Sequence, residues 1–464
     1  DTMEDKQKPE GRRKTKIVAT IGPASRSPEM VEKLVRAGVN VMRLNLSHGS
    51  HFSHREAIAV IREVSARLNM PVAVLMDLQG PKIRVGALKE KVVELKDGSA
   101  LTLTPEEIEG DETRITTTYK ELYKDIGPGD RILIDDGLIE VKVTEVRGKE
   151  VDCVVIYGGP LSEHKGFNLP DVSVTAPALT EKDIEDIEFG VENEVDYIAL
   201  SFVRKASDVT ELKALLKHRL EGKGKEIPVI AKIEKAEAIG NLDAIMEESD
   251  GIMIARGDLG VELSPERVPV LQKKIISLAN EAGKVVITAT QMLESMIKNP
   301  RPTRAEASDV ANAVFDGTDA LMLSGETAVG KYPVRAVEIM ARIASEAEEA
   351  ALAHRYLLRR KGHEDGSFTQ AVAFAAHAAC TEVGAKAVVV FSESGDTARV
   401  MSKIRPLSPI IAFTPRERTW RRLALIWGVQ PFLIAYGEHT DEMICRGEAA
   451  LLDNGLAALG DTIV

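Results

Sequence analysis

PVIAKIE, from Pro228, and GIMIARGD, from Gly251, are short runs of apolar and β-branched residues, and a helical pattern lies between them. Nearly continuous apolar strands that take turns with helices belong to a parallel sheet covered on both faces. Working outward, the unit recurs upstream in KIVATIG (from Lys16), VNVMRLNLS (from Val39), PVAVLMDLQ (from Pro71) and DYIALSFV (from Asp196). It recurs downstream in VVITATQ (from Val285) and DALMLSGE (from Asp319). The eight starts lie 23, 32, 125, 32, 23, 34 and 34 residues apart. Eight units at that pitch, with polar residues gathered at their carboxyl ends, predict an α/β chain folded as a (β/α)8 TIM barrel whose active face lies at those ends. An open doubly wound sheet has the same local patterns; the count of eight and the polar ends favour the barrel.

The long gap marks an insertion after the third strand. VVELKDG, ALTLTP, RILIDDGLIEVKV and EVDCVVIYGG are alternating strands set between Gly-rich turns, with no helix of length. They predict a small all-β domain that enters and leaves at the catalytic face and acts as a lid. From about residue 350 the helical stretches QAVAFAAHAACTEV, ARVMSKIR and ERTWRRLALIWG alternate with AKAVVVF, SPIIAFT and QPFLIAY, a third, α/β domain. The expected divisions are an N-terminal segment 1–15, barrel 16–85, lid 86–175, barrel 176–349 and C-terminal domain 350–464.

Composition agrees with several cores in one chain. There are 464 residues, 44% hydrophobic, and single cores stop growing at roughly 250–300 residues. A formal charge of −12 opposes binding to nucleic acid or to an anionic membrane. Cys153, Cys380 and Cys445 are odd in number and far apart, which suits a reducing cytoplasm. The polar start has no secretory apolar core, and no apolar run reaches the ~20 residues of a membrane helix.

The fifth strand ends Lys232-Ile233-Glu234. A strand period of two points Lys232 and Glu234 the same way, into the barrel mouth. The sixth ends Arg256-Gly257-Asp258 and brings a second carboxylate to that rim. Two acids beside a lysine suit magnesium, which takes one or two carboxylates and completes its shell with water and substrate oxygens. A plain Lys–Glu ion pair is the alternative. The second strand delivers Arg43, Asn45, Ser47 and His48, and the third Asp77, Gln79, Lys82 and Arg84. The seventh delivers Thr288, Thr290 and Gln291, and the eighth Ser324 and Glu326. Arg43, Arg84 and Lys232 make a cationic mouth able to hold phosphate. No Walker A motif and no kinase-type Gly-rich loop is present.

KIVATIGPAS, MRLNLSHG, GPKIR, SFVRKA, AKIEK, DGIMIARGDLGVE, ITATQMLESMIKNPRPTRAEASDVANAVFDG and LMLSGETAVGKYP together resemble pyruvate kinase over nearly the whole chain. The resemblance implies a cytoplasmic glycolytic phosphotransferase that moves the phosphoryl group of phosphoenolpyruvate to ADP, giving pyruvate and ATP. It implies a barrel, a lid and an effector-binding domain, in a homotetramer. By motif, Glu234 and Asp258 hold magnesium, for which manganese can substitute. Lys232 stabilises the transferring phosphoryl group and the enolate, and Arg43 contacts the phosphoryl group. Arg256-Gly257-Asp258 and Thr290 hold the substrate carboxylate. Asn45, His48, Arg84 and, from the lid motif KGFNLP, Lys165 contact the nucleotide. Thr290, Ser324 and a water are candidates for protonating the enolate.

Two departures from the family pattern matter. The usual DTKGPEIR reads here Asp77-Leu78-Gln79-Gly80-Pro81-Lys82-Ile83-Arg84. In the usual form Asn45, Ser47 and Asp77 help to bind potassium; the ammonium of Lys82 is expected to stand in for that charge and make potassium unnecessary. The alternative leaves Lys82 in solvent, with potassium held by the remaining ligands and the Leu78 carbonyl. In the C-terminal domain Ser392, Ser394, Gly395 and Thr397 form the loop that in the family holds an effector's phosphate, and Asp396 within it would oppose that charge; a plain helix cap is the alternative. The chain stops at Gly460-Asp461-Thr462-Ile463-Val464, where the family's last strand begins, so the C-terminal domain is expected to be truncated or incomplete. A magnesium-dependent lyase or aldolase barrel is opposed by the lid motif and the third domain. An idle metabolite sensor is opposed by the intact Lys232, Glu234, Asp258, Arg43 and Thr290.

Overall fold

The structure, a computed structural model, describes residues 13–170, 172, 174–221, 226–353, 367–437 and 439–464. Most of the expected N-terminal segment, and residues 354–366 near the expected start of the third domain, lie outside the described residues.

Eight parallel strands close into a barrel: Lys16–Thr20, Val41–Asn45, Ala73–Asp77, Tyr197–Leu200, Val229–Ile233, Gly251–Ala255, Val285–Ala289 and Ala320–Leu323. Each lies in one of the eight apolar runs. They read as continuous because both faces are covered. Ile17, Ala19, Met42, Leu44, Val74 and Met76 pack into the helical layer, while Val18, Val41, Leu75, Ile230, Met253 and Met322 fill the interior. Helix starts are set by side-chain caps at Ser27, Ser50, Thr180 and Thr303.

The chain leaves the barrel after Ala73–Asp77 and rejoins it at helix Glu181–Glu192. Between them lies a six-stranded sheet in the order Phe167–Asn168, Arg131–Ile134, Ile139–Arg147, Glu150–Tyr157, Ala100–Thr104, Arg114–Thr116. A two-stranded ribbon, Val92–Leu95 with Gly159–Ser162, sits beside it. RILIDDGLIEVKV is a hairpin of two strands rather than one run, because Asp135, Asp136 and Gly137 all take positive φ. Arg114–Thr116 and Phe167–Asn168 are too short to show a period in the sequence.

The third domain has a parallel sheet ordered Val388–Phe391, Ile410–Thr414, Val429–Leu433. Helix Thr440–Asp453 beside it was not read from the sequence. ERTWRRLALIWG breaks into helix Glu417–Arg422 and the 3-10 turn Leu423–Leu425, because that turn packs against the first and third barrel strands and closes the bottom of the barrel. Polar contacts reinforce the seam. Asp319 takes Lys403 at 2.6 Å and Arg405 at 2.7 Å, Asp196 takes Arg421 at 3.0 Å, and Lys16 Nζ donates to the Val429 carbonyl at 2.7 Å. Asp196 and Asp319 immediately precede barrel strands, so the third domain grips the amino ends and the lid stands over the carboxyl ends.

Candidate active site

The period of two that buries Val41, Leu75 and Ile230 carries Arg43, Asp77, Lys232 and Glu234 to the same interior mouth. The Lys232 ammonium is central. It lies 2.9 Å from Glu234 Oε1 and 3.2 Å from Asp77 Oδ1, and donates to Ser201 Oγ at 2.7 Å. Arg43 Nε meets Asp77 Oδ2 at 2.6 Å, and its Nη1 donates to Thr20 Oγ1 at 3.0 Å. Burial alone would lower the Lys232 pKa, but the charges of Asp77 and Glu234 raise it well above the usual lysine value. Burial would likewise raise Asp77; Lys232 and Arg43 instead hold it below the ordinary carboxylate range. The cluster therefore keeps a fixed positive charge at its centre.

Glu234 is pushed up by burial, drawn down by Lys232 and pushed up again by the charge of Asp258 on the neighbouring segment. Its Oε2 accepts the Phe202 N–H at 2.7 Å. Two carboxylates that repel each other at one mouth are the hard oxygen donors a divalent cation takes, and a cation between them removes the repulsion. Among the described residues no group of three His, Cys, Asp or Glu side chains could hold a metal, so water and substrate oxygens would have to complete the shell. The ion-pair alternative is present as well, since Lys232 and Glu234 are in contact.

Asp258 lies in the first turn of helix Arg256–Glu262. The Gly257 N–H donates to Thr290 Oγ1 at 2.8 Å, and that hydroxyl donates to the Ala289 carbonyl at 2.8 Å. The Arg256 guanidinium turns away to Asp309 at 2.8 Å and the Thr290 carbonyl at 2.8 Å. Thr288, expected at the rim, faces the outer layer and bonds to Thr318 Oγ1 at 2.9 Å. By alternation Thr290 would follow it outward. Instead Thr290 and Gln291 take left-handed φ of 67° and 54°, which ends the strand and brings the Thr290 hydroxyl back to Gly257. Glu326, fully buried, accepts the Ser324 N–H at 2.8 Å and the Leu293 N–H at 3.0 Å, pinning the seventh and eighth loops together. Ser324 Oγ is buried without a hydrogen-bond partner among the described residues.

In the loop after the second strand, Asn45 Oδ1 accepts the Ser47 N–H at 3.1 Å, and the exposed His48 has its carbonyl 2.9 Å from His54 Nε2. Partial burial and the charges of Arg84, Lys82 and Arg43 hold His48 below the usual histidine range. Arg84 Nη1 donates to the His164 carbonyl at 3.1 Å, and Lys165 Nζ lies 2.7 Å from Asp135 Oδ1. The Leu78 carbonyl is taken by Ser201 Oγ at 2.7 Å. Lys82 forms no ion pair among the described residues, and its Cε lies beside lid Gly166. The loop of Ser392, Ser394, Gly395 and Thr397 belongs to the third domain and is apart from this mouth. There Ser394 Oγ donates to Asp396 at 2.8 Å, and Asp396 pairs with Arg399 at 3.2 Å.

Sequence reasoning gave no role to Thr20, Ser201 or Phe202. Ser201 had a signal, a hydroxyl directly beyond the fourth strand and in phase with its inward face. Phe202, at φ 56°, acts through a backbone N–H and left none.

The chain matches the family model described as pyruvate kinase, barrel domain, over residues 12–337, and that described as pyruvate kinase, alpha/beta domain, over residues 370–464. It is 47% identical over 452 residues to the pyruvate kinase of Clostridium acetobutylicum, covering 97% of this chain and 95% of that protein. To the pyruvate kinase of Staphylococcus aureus strain MRSA252 it is 48% identical over 454 residues, covering 97% of this chain and 77% of that one. A solved pyruvate kinase from Cryptosporidium parvum superposes with a TM-score of 0.91 at 39% identity, covering 97% of this chain and 93% of that chain.

Proposed function

The chain belongs to the pyruvate kinase family, a phosphotransferase acting between phosphoenolpyruvate and ADP, and from that premise we propose how its own residues divide the work. The observation that carries the proposal is the ammonium of Lys232, kept charged between Asp77 and Glu234 and facing the mouth beside Arg43. Phosphoryl transfer depends on in-line positioning and fixed positive charge more than on covalent help. Arg43 binds the phosphoryl group, and Lys232 faces the charge that develops on it and on the enolate oxygen. Gly257 and Thr290 orient the substrate carboxylate. Glu234 and Asp258 would hold magnesium, or manganese, which would supply Lewis-acid charge at the mouth.

Asn45, His48 and Arg84 from the barrel and Lys165 from the lid contact the nucleotide, and the lid excludes water that would otherwise take the phosphoryl group. The Thr290 hydroxyl proton is already engaged, whereas Ser324 Oγ has no partner among the described residues. That difference favours Ser324, acting with a water, as the route by which the enolate carbon receives its proton.

Lys82 supplies the charge that potassium provides in relatives. Support comes from its effect on His48 and from the absence of any ion pair that neutralises it among the described residues. A cytoplasmic homotetramer, with a phosphorylated effector at Ser392, Ser394, Gly395 and Thr397, is proposed from the family alone. The Ser394–Asp396 contact would have to open for phosphate to bind there. No helix among the described residues is long and apolar enough to cross a membrane.

Pyruvate formation from phosphoenolpyruvate and ADP with magnesium, measured with and without potassium, tests the reading. Equal rates support Lys82 as the built-in cation. A requirement for potassium keeps the kinase and discards that role. No ADP-dependent pyruvate from folded protein under either condition would overturn both.

A further inference from the structure

Lys235 follows Glu234 directly, and Glu262 lies one helical turn after Asp258 on the same short helix. The two side chains meet: Lys235 Nζ lies 2.6 Å from Glu262 Oε1. The same carboxylate oxygen accepts the amide of Asn168, from the lid strand Phe167–Asn168, at 3.0 Å. Glu262 is only 4% exposed and Asn168 7%, so both contacts are largely shielded from water. The lid hairpin comes down on the same helix, where a Cβ on Gly137 would stand 3.8 Å from Val261. One buried carboxylate thus touches three bodies: the segment bearing Glu234, the helix bearing Asp258 and the lid.

We propose that Glu262 is a positioning residue that fixes the spacing of Glu234 and Asp258 and makes it depend on the seating of the lid through Asn168. The inference rests on reading Glu234 and Asp258 as the metal ligands. An ion pair with little access to solvent has few alternative geometries, so Lys235–Glu262 acts as a strut between two segments whose strands pair below the mouth. Groups that orient metal ligands without touching the ion typically change affinity by roughly 10–100-fold when removed. Asn168 adds the lid to the strut, so a seated lid stiffens the metal site.

The test uses the full chain without substrates. Mn2+ binding is followed by electron paramagnetic resonance, and lid seating by hydrogen exchange at Phe167 and Asn168. Glu262→Gln keeps an acceptor for Asn168 but removes the charge that holds Lys235. It is expected to weaken Mn2+ binding by roughly ten-fold. Lys235→Met should do the same, giving a second variant that leaves the helix itself untouched. Asn168→Ala should speed exchange at the lid strand while weakening Mn2+ binding less than either. Mn2+ binding within two-fold of the parent in both Glu262→Gln and Lys235→Met would overturn the strut, and unchanged lid exchange in Asn168→Ala would overturn the link to the lid. Glu234→Gln separates the underlying reading. If it leaves Mn2+ binding intact, the assignment of the metal ligands fails; if it abolishes binding while Glu262→Gln does not weaken it, only the inference fails.

Discussion

At the residue scale the mouth of the barrel is an arrangement of charges whose protonation is set by neighbours. Replacing Lys232 by Met removes the positive centre and leaves Asp77 with Arg43 and the Ser201 hydroxyl. Turnover is expected to fall by roughly a thousand-fold, the order seen when a preorganised charge-stabilising donor is removed, while circular dichroism stays native. Normal turnover in that variant would remove the assigned role. Ser324 makes the opposite kind of prediction for stability. Its hydroxyl has no partner among the described residues, so Ser324→Ala deletes a buried polar group without orphaning another. The midpoint of thermal unfolding should stay level or rise slightly while the rate of pyruvate formation drops; a clear loss of stability would mean that the hydroxyl is engaged. The inward phase of Lys232 and Glu234 was legible from the strand period. That of Thr290 was not, because two left-handed residues override alternation at that strand end.

At the scale of elements, the join between barrel and lid is made by one helix start. Asp183, fully buried in the first turn of Glu181–Glu192, accepts the Thr180 N–H at 2.9 Å and hydroxyl at 2.6 Å as the second half of a capping box. It also accepts the Gly80 N–H at 3.0 Å, from the segment by which the chain leaves for the lid. Exit and return are therefore tied at one carboxylate. Asp183→Ala loses half the box and leaves a buried N–H unpaired, so a destabilisation of about 2–3 kcal/mol is expected in urea unfolding. A change below about 0.5 kcal/mol would show that the join is not held there. The long lid strands were readable because their inner and outer residues alternate. The two- and three-residue strands at the edges of the lid sheet were not, since they are shorter than the period that would reveal them.

For the whole molecule, the seam between barrel and third domain is where buried charge accumulates. Asp319 faces Lys403 and Arg405, and all three side chains are nearly inaccessible. Removing the acid takes the carboxylate from two buried cations, and Asp319→Ala is expected to cost about 3–5 kcal/mol, or to prevent folding, by denaturant titration. Lys16 tests the same seam through pH. Burial first, and then the charge of Arg13, push its ammonium down to about 7 from an ordinary 10.5, with Glu348 acting the other way. Between those values the unfolded chain holds a proton that the folded chain does not. Stability should therefore rise as pH climbs from about 7 towards 10.5, and Lys16→Met should flatten that rise. Parallel curves for both proteins would show that Lys16 does not titrate in this window.

Taken by itself, the sequence determined the eight strands, the inserted β domain, the third domain and the family, because those depend on local apolar runs, their spacing and long motifs. It also placed Lys232 and Glu234 on one face, since period two is a property of any strand. Which loop contacts close the site depends on the folded chain: Ser201 beneath Lys232, Thr290 turned back to Gly257, and Glu262 shared by helix and lid. Those contacts join residues tens of positions apart, and each is set by where rigid elements bring the backbone. The packing of Leu423–Leu425 into the barrel bottom has the same origin. An apolar stretch in a helical pattern becomes a plug only because an open barrel end leaves its interior side chains to be covered.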